Sequence, residues 1–250
     1  MKIVVLASGS KGNSTYIENN DKKILIDLGV SLEYIEDKLN NINVDPKDIN
    51  CILITHTHSD HIIGLSKFIK KYDTSILISP KMESEIIKKV KDPNIIYFNK
   101  EMDLDGLSIK IIKNSHDCDS FGFIINDKVV YITDTGYINS KHFPLILNKE
   151  VYILESNHDV EMLMNGSYPH YLKQRILSDK GHLSNEACSY YLSQLIGENT
   201  KYIILSHLSE ENNTEEKALE ELNNKIKNTK IIKIVAKQNV PTGVIEIWLR

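Results

Sequence analysis

The chain has 250 residues, of which 41% are hydrophobic and 26% charged, and this composition predicts a single globular domain spanning residues 1–250. Its formal net charge of −4 excludes a global basic field that would recruit nucleic acid, so any such binding requires a local patch. Widely spaced Cys51, Cys118 and Cys188 favour reduced thiols in the cytoplasm, and no apolar run approaches the ~18–20 residues that cross a bilayer, so we expect no membrane association.

Short runs rich in Ile and Val, many of them bounded by turn residues, predict strands. In chain order these runs are 2–7, 23–28, 51–55, 75–79, 107–112, 121–125, 129–133, 151–155, 202–206, 231–235 and 243–248. Apolar residues at helical spacing predict helices at 31–42, 61–72, 82–90, 184–195 and 214–226. An early hairpin, turning near residues 19–21, and interspersed strand–helix units favour an α/β protein in which two sheets pack together with helices outside, a four-layer αββα sandwich.

One segment concentrates the side chains that bind metals. The run ITHTHSDHIIG, residues 54–64, contains His56, His58, Asp60 and His61. Grouping four such side chains costs free energy unless they share a role, and a metal ion is the usual one. Positions 56 and 58 lie two apart on extended backbone, so their side chains point the same way, while Ser59 or Asp60 is expected to cap the helix that follows. Imidazole and carboxylate ligands without thiolate suit Zn, Mn or Fe.

Three further candidate ligands follow predicted strands at their carboxyl ends: His116, Asp134 and His207. Each one alone has an ordinary interpretation as a cap or turn residue. Because they share this position with the first cluster, we expect all seven residues at one site that holds two divalent ions bridged by Asp134. Two ions roughly 3.5–4 Å apart bind and deprotonate a bridging water and stabilise both oxygens of a displacement.

This pattern resembles the metallo-β-lactamase-fold hydrolase superfamily. HxHxDH is followed in order by a histidine, an aspartate in TDTG and a histidine in LSHLS, and the resemblance includes the opening SGSKGNS. It implies that one ion is held by His56, His58 and His116, and the other by Asp60, His61 and His207.

Residues 153–188 resemble the YycJ-type (WalJ-type) branch of that superfamily through ESNHD, YP, LK-RI and GHLSN. This branch is associated with 5′-to-3′ exonuclease action on DNA. The segment also resembles tRNA 3′-processing endonucleases, in which a glutamate and a histidine protonate the leaving oxygen; Glu155 and His182 stand at these positions. An imidazole held by a carboxylate can supply a proton near neutral pH, although ion pairing of Glu155 and packing of His182 before Ser184 would be ordinary structural roles.

Four other residues of this region have two interpretations each. His158 is either a further site residue or a local hydrogen-bond partner of Asp159. Lys173, Arg175 and Lys180 form either a solvated helix face or a patch that binds substrate phosphates.

Two features favour DNA over RNA. Asp134 and His207 are too close in sequence to enclose the second domain of larger RNA-processing relatives, and the Gly/Pro-rich arm of the tRNA-processing branch is missing from the sequence.

The sequence therefore predicts a dinuclear metal-dependent phosphodiester hydrolase, a 5′-to-3′ DNA exonuclease in which a metal-bound hydroxide attacks phosphorus. Asp60 orients the attacking group or takes its proton, and Glu155 and His182 assist departure of the 3′ oxygen. One alternative is a small-molecule phosphodiesterase or thioester hydrolase of the same fold, which a closed pocket would favour. The other is a non-enzymatic metal-binding regulatory module. The native metal and the oligomeric state stay open.

Overall fold

The computed structural model describes residues 1–247, and the chain divides into two compact units. The first unit comprises Met1–Ser108 together with the chain from Lys237 onward, and the second comprises Ile109–Ala236. The single domain expected from the sequence stays a prediction. Among the described residues, no helix is both long and apolar enough to cross a membrane.

Within residues 1–247 the strands are β1 (Lys2–Ala7), β2 (Ser14–Asn19), β3 (Lys22–Ile26), β4 (Cys51–Leu53), β5 (Ser75–Ile78), β6 (Ile95–Tyr97), β7 (Glu101–Asp103), β8 (Ser108–Lys113), β9 (Phe121–Ile125), β10 (Val129–Ile132), β11 (Val151–Glu155), β12 (Tyr202–Ser206), β13 (Ile232–Val235) and β14 (Ile245–Glu246). The helices are α1 (Leu32–Asn41), α2 (Ser59–Ile62), α3 (Leu65–Tyr72), α4 (Glu83–Lys89), α5 (Phe143–Ile146), α6 (Val160–Asn165), α7 (His170–Leu177), α8 (Asn185–Leu195) and α9 (Glu215–Lys225). The predicted strand 243–248 is thus shorter, and Trp248 lies outside the described residues.

The first unit contains a mixed sheet in the order β14-β1-β2-β3-β4-β5-β6. Strands β14 to β3 pair antiparallel, whereas β3 to β6 pair in parallel. The carboxyl ends of parallel strands meet at one edge of a sheet, and this brings the residues that follow β3 and β4 side by side. Asp27 follows β3, and its backbone N–H donates to Leu53 O at the end of β4 (2.8 Å).

The second unit contains a mixed sheet in the order β13-β12-β11-β10-β9-β8. Strands β10 to β13 are parallel, with Glu155 of β11 opposite Ser206 of β12. Residues just beyond these strands therefore share an edge. Helices α8 and α9 cover the sheet with buried side chains such as Leu192 and Leu222, which belong to one apolar cluster with Tyr152 of β11.

The predicted helix 61–72 is interrupted. It is observed as α2 and α3, separated at Gly64, whose N–H donates to Leu28 O (2.9 Å). A Cβ at this position would lie 2.1 Å from Val30 O, so only glycine permits this close approach of the two backbone segments. The apolar spacing runs through this break because both helices bury the same side of the segment.

Candidate active site

The HxHxDH segment brings three imidazoles together in the first unit. The ring centroid of His56 lies 4.5 Å from that of His58 and 4.0 Å from that of His61. His56 and His61 are fully buried, whereas His58 and Asp60 are half-buried. The expectation that Ser59 or Asp60 caps the helix is wrong, because α2 already begins at Ser59 and the cap position belongs to His58, which makes no side-chain capping bond.

A residue that the sequence analysis missed, Asp27, orients this cluster. Its carboxylate accepts hydrogen bonds from Thr55 N and Thr55 Oγ1 (both 2.8 Å) and lies 2.7 Å from His61 Nδ1. Burial raises the pKa of Asp27, although the His61 ring opposes this effect. A lone acidic residue at the end of the apolar run KILIDL was the available signal, since a buried carboxylate needs a partner.

The Asp27 contact determines how His61 presents its second nitrogen. Because the carboxylate accepts a proton from Nδ1, the neutral ring has its acceptor lone pair at Nε2. Asn13 Nδ2, from the opening SGSKGNS, lies 3.2 Å from this nitrogen, and Asp60 Oδ2 lies 3.3 Å from it. With metal–ligand bonds of about 2.1 Å, two ligands of a tetrahedral ion lie about 3.4 Å apart. The pair of Asp60 and His61 therefore has the spacing of two ligands of one ion.

The second unit gathers Asp134, Glu155, His182 and His207, whose candidate ligand atoms all lie within 4.8 Å of one another. Glu155 is at the centre of this group. Its Oε1 lies 2.7 Å from His182 Nδ1 and 2.8 Å from His207 Nδ1, and its Oε2 accepts from the backbone amides of Thr135 (3.1 Å) and Leu183 (3.2 Å). The expected contact between Glu155 and His182 is confirmed, while their catalytic roles stay predictions.

His207 and Asp134 repeat the arrangement seen at Asp60 and His61. Glu155 binds His207 at Nδ1, so His207 Nε2 is the acceptor nitrogen of the neutral ring, and it lies 3.5 Å from Asp134 Oδ1. This spacing again fits two ligands of one tetrahedral ion, for which about 3.4 Å is expected. Asp134 and His207 both have left-handed backbone, with φ of 56° and 57°.

The electrostatics of Glu155 and His182 suit an acid–carboxylate pair. Burial raises the pKa of Glu155, but His182 and His207 outweigh burial and bring it down to about 2. Burial likewise opposes the charged form of His182, but the attraction and hydrogen bond of Glu155 outweigh it and raise the pKa of this imidazole above its ordinary 6.5. The protonated form of His182 is therefore favoured, and its Nε2–H is the proton that remains for transfer.

His116 lies within the second unit beside this group. It is buried, its Nδ1 lies 3.3 Å from Gly181 O, and its ring centroid is 5.2 Å from that of His182. Burial lowers the pKa of His116, which keeps the ring in the neutral form that a metal ligand requires.

His158 does not form the local bond that one interpretation of the sequence required. Asp159 instead accepts from Met162 N (2.8 Å) as the cap of α6 and pairs with Lys217 (3.0 Å). His158 is 1% exposed, and neither ring nitrogen has a hydrogen-bond partner among residues 1–247. Burial lowers its pKa to about 4, so the ring is neutral. Its backbone bridges to Ser184, and His158 as a site residue stays a prediction.

The three expected phosphate-binding residues have different surroundings. Lys173 Nζ donates to Met164 O (2.8 Å) and Gly166 O (2.7 Å), so its charge is engaged by carbonyls at the carboxyl end of α6. Arg175 forms an ion pair with the carboxylate of Asp117. Lys180 is exposed. A substrate phosphate would therefore have to displace the protein groups that already bind Lys173 and Arg175.

Residues 7–207 match the family model of the Metallo-beta-lactamase superfamily. The chain is 42% identical over 228 residues to the exodeoxyribonuclease WalJ of Streptococcus pneumoniae, covering 87% of this chain and 85% of that protein. It is 38% identical over 223 residues to the exodeoxyribonuclease YycJ of Bacillus anthracis, covering 86% and 84%. Its structure is similar to that of the metallo-beta-lactamase fold protein YhfI from Bacillus subtilis, with a TM-score of 0.75, 17% identity, and coverage of 96% of this chain and 98% of the other. These similarities confirm the fold that the sequence predicts.

Proposed function

This chain belongs to the metallo-beta-lactamase superfamily, and on that premise we propose that it is a metal-dependent DNA exonuclease of the YycJ (WalJ) type that acts in the 5′-to-3′ direction. The observation that carries the proposal is the position of one carboxylate oxygen, Glu155 Oε1, between His182 Nδ1 and His207 Nδ1. A proton donor and a candidate metal ligand are thereby held by the same group. Two relatives named exodeoxyribonuclease, similar over most of their length, support DNA as the substrate.

The donor set fits divalent ions. Two pairs of an imidazole nitrogen and a carboxylate oxygen, at 3.3 Å and 3.5 Å, have the separation of neighbouring ligands, and in each pair the other ring nitrogen is bound by a carboxylate. We propose that the site would hold two divalent ions, Zn or Mn, with Fe as the alternative, and that Asp134 would be a ligand shared by both. The other ligands would be His56, His58 and His116 for one ion, and Asp60, His61 and His207 for the second. When bound, such ions neutralise charge on phosphoryl oxygens and lower the pKa of water.

The chain's own residues would then carry out the proton transfers. His182 is held through Nδ1 by Glu155, so its Nε2 proton is the one that passes to the departing 3′ oxygen. Asp60 is half-buried, and its carboxylate orients the attacking water or accepts its proton. We also propose His158 as a site residue, and no step is assigned to it.

A nuclease assay tests the proposal. The protein loaded with Zn²⁺ or Mn²⁺ is incubated with duplex DNA, single-stranded DNA and RNA, each labelled at one end. We expect a 5′ label on DNA to appear at once in short products, whereas DNA labelled at its 3′ end shortens gradually. Equal degradation of RNA would contradict DNA as the preferred substrate. Turnover of small phosphodiesters alone would contradict a nuclease and favour the small-molecule hydrolase.

Matched histidine variants separate the proton donor from general effects. His182→Ala should slow DNA cleavage, whereas His170→Ala, which removes an exposed histidine at the start of α7, should behave like the wild type. A regulatory metal-binding module would show no cleavage by either protein under any metal.

The expected cytoplasmic location stays a prediction.

Metal content tests the ligand assignment independently of activity. We expect two ions per chain by elemental analysis and anomalous scattering near His56, His61 and His207 when crystals are grown with metal. Dispersal of these side chains without metal density would refute the assignment.

A further inference from the structure

The second unit has an aromatic cleft that the catalytic proposal does not use. We call it the tyrosine cleft, and its aromatic walls are Tyr137, Phe143, Tyr190 and Tyr191. Its volume is about 460 Å³. The ring centroids of Tyr190 and Tyr191 are 5.8 Å apart, and those of Phe143 and Tyr191 are 6.2 Å apart. Clefts of this size, with aromatic walls, are typical ligand sites.

The rings are accessible but their supports are buried. Tyr190 is 53% exposed and Tyr137 is 37% exposed, so solvent reaches both side chains. The other two rings, Phe143 and Tyr191, pack against the apolar core of the unit, to which Ile138 of the cleft also belongs. Packing therefore holds Phe143 and Tyr191 in place, and a ligand would not have to order these two rings. Rigid, exposed aromatic rings supply contact area at a small cost in conformational entropy.

Cations adjoin the cleft. Lys225 Nζ of α9 lies 5.6 Å from the ring centroid of Tyr190, and Lys141 is exposed next to the cleft residue Ser140. An aromatic wall with ammonium groups beside it matches the chemistry of a nucleic acid strand, in which bases alternate with phosphates.

The tyrosines of the cleft lie on two segments that also contain proposed site residues. Tyr137 stands three residues after Asp134, and its carbonyl accepts from Thr135 Oγ1 (2.8 Å), while Thr135 N donates to Glu155. Helix α8, which carries Tyr190 and Tyr191, begins three residues after His182. The two segments that would contact a DNA strand at the catalytic residues therefore also contain the tyrosines of the cleft.

We propose that the tyrosine cleft binds nucleobases of a single DNA strand by stacking on Tyr190 and Tyr137, with Lys225 and Lys141 beside the phosphates. This inference rests on the proposed function and names where the substrate is held away from the scissile bond. Stacking is tolerant of sequence because every base has a flat face, and an exonuclease that proceeds along DNA needs such tolerance.

Binding of a labelled, single-stranded phosphorothioate oligonucleotide in Mn²⁺, followed by fluorescence anisotropy, tests the inference. Loss of one base–aromatic stack corresponds to about a 5- to 150-fold loss of affinity, so Tyr190→Ala should weaken binding by this factor and Tyr190→Phe should restore it. The control is Tyr171→Ala, which removes a tyrosine that is 73% exposed on α7, and we expect its affinity and its DNA cleavage to equal those of the wild type.

The outcomes separate the cleft from the catalytic proposal. If the wild type cleaves DNA while Tyr190→Ala and Tyr137→Ala bind it with unchanged affinity, the cleft is not a base site and the exonuclease assignment stands. Equal losses in Tyr190→Ala and Tyr190→Phe would refute stacking. Conversion of a dimer to a monomer by Tyr190→Ala, at unchanged DNA affinity in sedimentation experiments, would assign the cleft to contact between copies and overturn the inference. A wild type that neither binds nor cleaves DNA with metal would refute both.

Discussion

Glu155 is the buried carboxylate on which two imidazoles and two backbone amides converge, and we predict that Glu155→Gln disrupts this arrangement. The glutamine has the shape of glutamate but only one acceptor oxygen. Its NH₂ group must face either the imidazole Nδ1–H groups of His182 and His207 or the amides of Thr135 and Leu183. Either orientation places donors against donors in a site that excludes water, which costs free energy.

The pKa of Glu155 gives the magnitude. It is lowered from an ordinary 4.5 to about 2, because the attraction of His182 and His207 outweighs the effect of burial. A carboxyl with a depressed folded pKa stabilises the fold above its unfolded pKa, and this contribution is lost as pH falls through the folded value. At about 1.36 kcal/mol per pH unit, the difference of about 2.5 corresponds to about 3 kcal/mol. The wild type should lose this amount between about pH 5 and about pH 2.

His182 contributes with the opposite sign. Its pKa is raised because Glu155 outweighs burial, so its contribution is complete below the ordinary 6.5 and is lost as pH rises through the folded pKa. In the metal-free protein the pair therefore stabilises the fold most between about pH 5 and about pH 6.5. Glu155→Gln should flatten both limbs of the profile.

The assay is urea unfolding of metal-free wild type, Glu155→Gln and Glu198→Gln over this pH range. Glu198 is exposed, so its variant should follow the wild type. We expect Glu155→Gln to be less stable at pH 6 by about 3–5 kcal/mol, as for a buried pair that loses one partner. Superimposable wild-type and Glu155→Gln profiles would refute the reasoning, because they would mean that the buried carboxylate is not ionised against its imidazoles.

Three further predictions concern the proton donor, the metal site and DNA binding. His182→Ala should slow the chemical step in single-turnover cleavage by about 10²–10⁴-fold and leave metal content unchanged; loss of metal with full activity per metal would contradict the role. Thr57, which lies between the candidate ligands His56 and His58 in the sequence, donates to Glu85. Glu85→Gln should therefore weaken Zn²⁺ affinity about tenfold in a competition titration, and unchanged affinity would contradict this. Replacing both Arg175 and Lys180 by glutamine should reduce the salt slope of duplex DNA binding by about 1.8, and an unchanged slope would exclude them as phosphate contacts.

The positions of the candidate ligands were predictable because they follow from strand geometry. Runs of Ile and Val identify the parallel strands β10, β11 and β12, and the ends of parallel strands meet at one edge. Residues placed at those ends, such as Asp134, Glu155 and His207, therefore converge in the second unit. The hydrogen bond of Glu155 to His182 followed from the resemblance to other hydrolases, since nothing in the spacing of the two residues requires it.

Features that depend on close backbone contact were not predictable in this way. The break of the predicted helix 61–72 at Gly64 depends on the approach of Val30 O, which lies far from it in sequence. Asp27 was hidden in an apolar run that otherwise indicates a buried strand. The charge of Lys173 is bound by carbonyls at the carboxyl end of α6, and residue type alone does not reveal which cations are already engaged.

Three polar residues of the candidate site have left-handed backbone: Asp27, Asp134 and His207, with φ of 60°, 56° and 57°. Each lies within two residues of the end of a strand. If the backbone stayed extended at that residue, the chain would continue along the sheet instead of turning. Left-handed backbone costs a residue with a Cβ about 1–2 kcal/mol, and it persists only where contacts offset that cost. Two Thr55 donors and His61 hold Asp27, and Glu155 holds His207. The buried carboxylates therefore have a second effect besides setting pKa values: they hold strained turns that direct the candidate ligands, so their loss should change site geometry before it changes the fold.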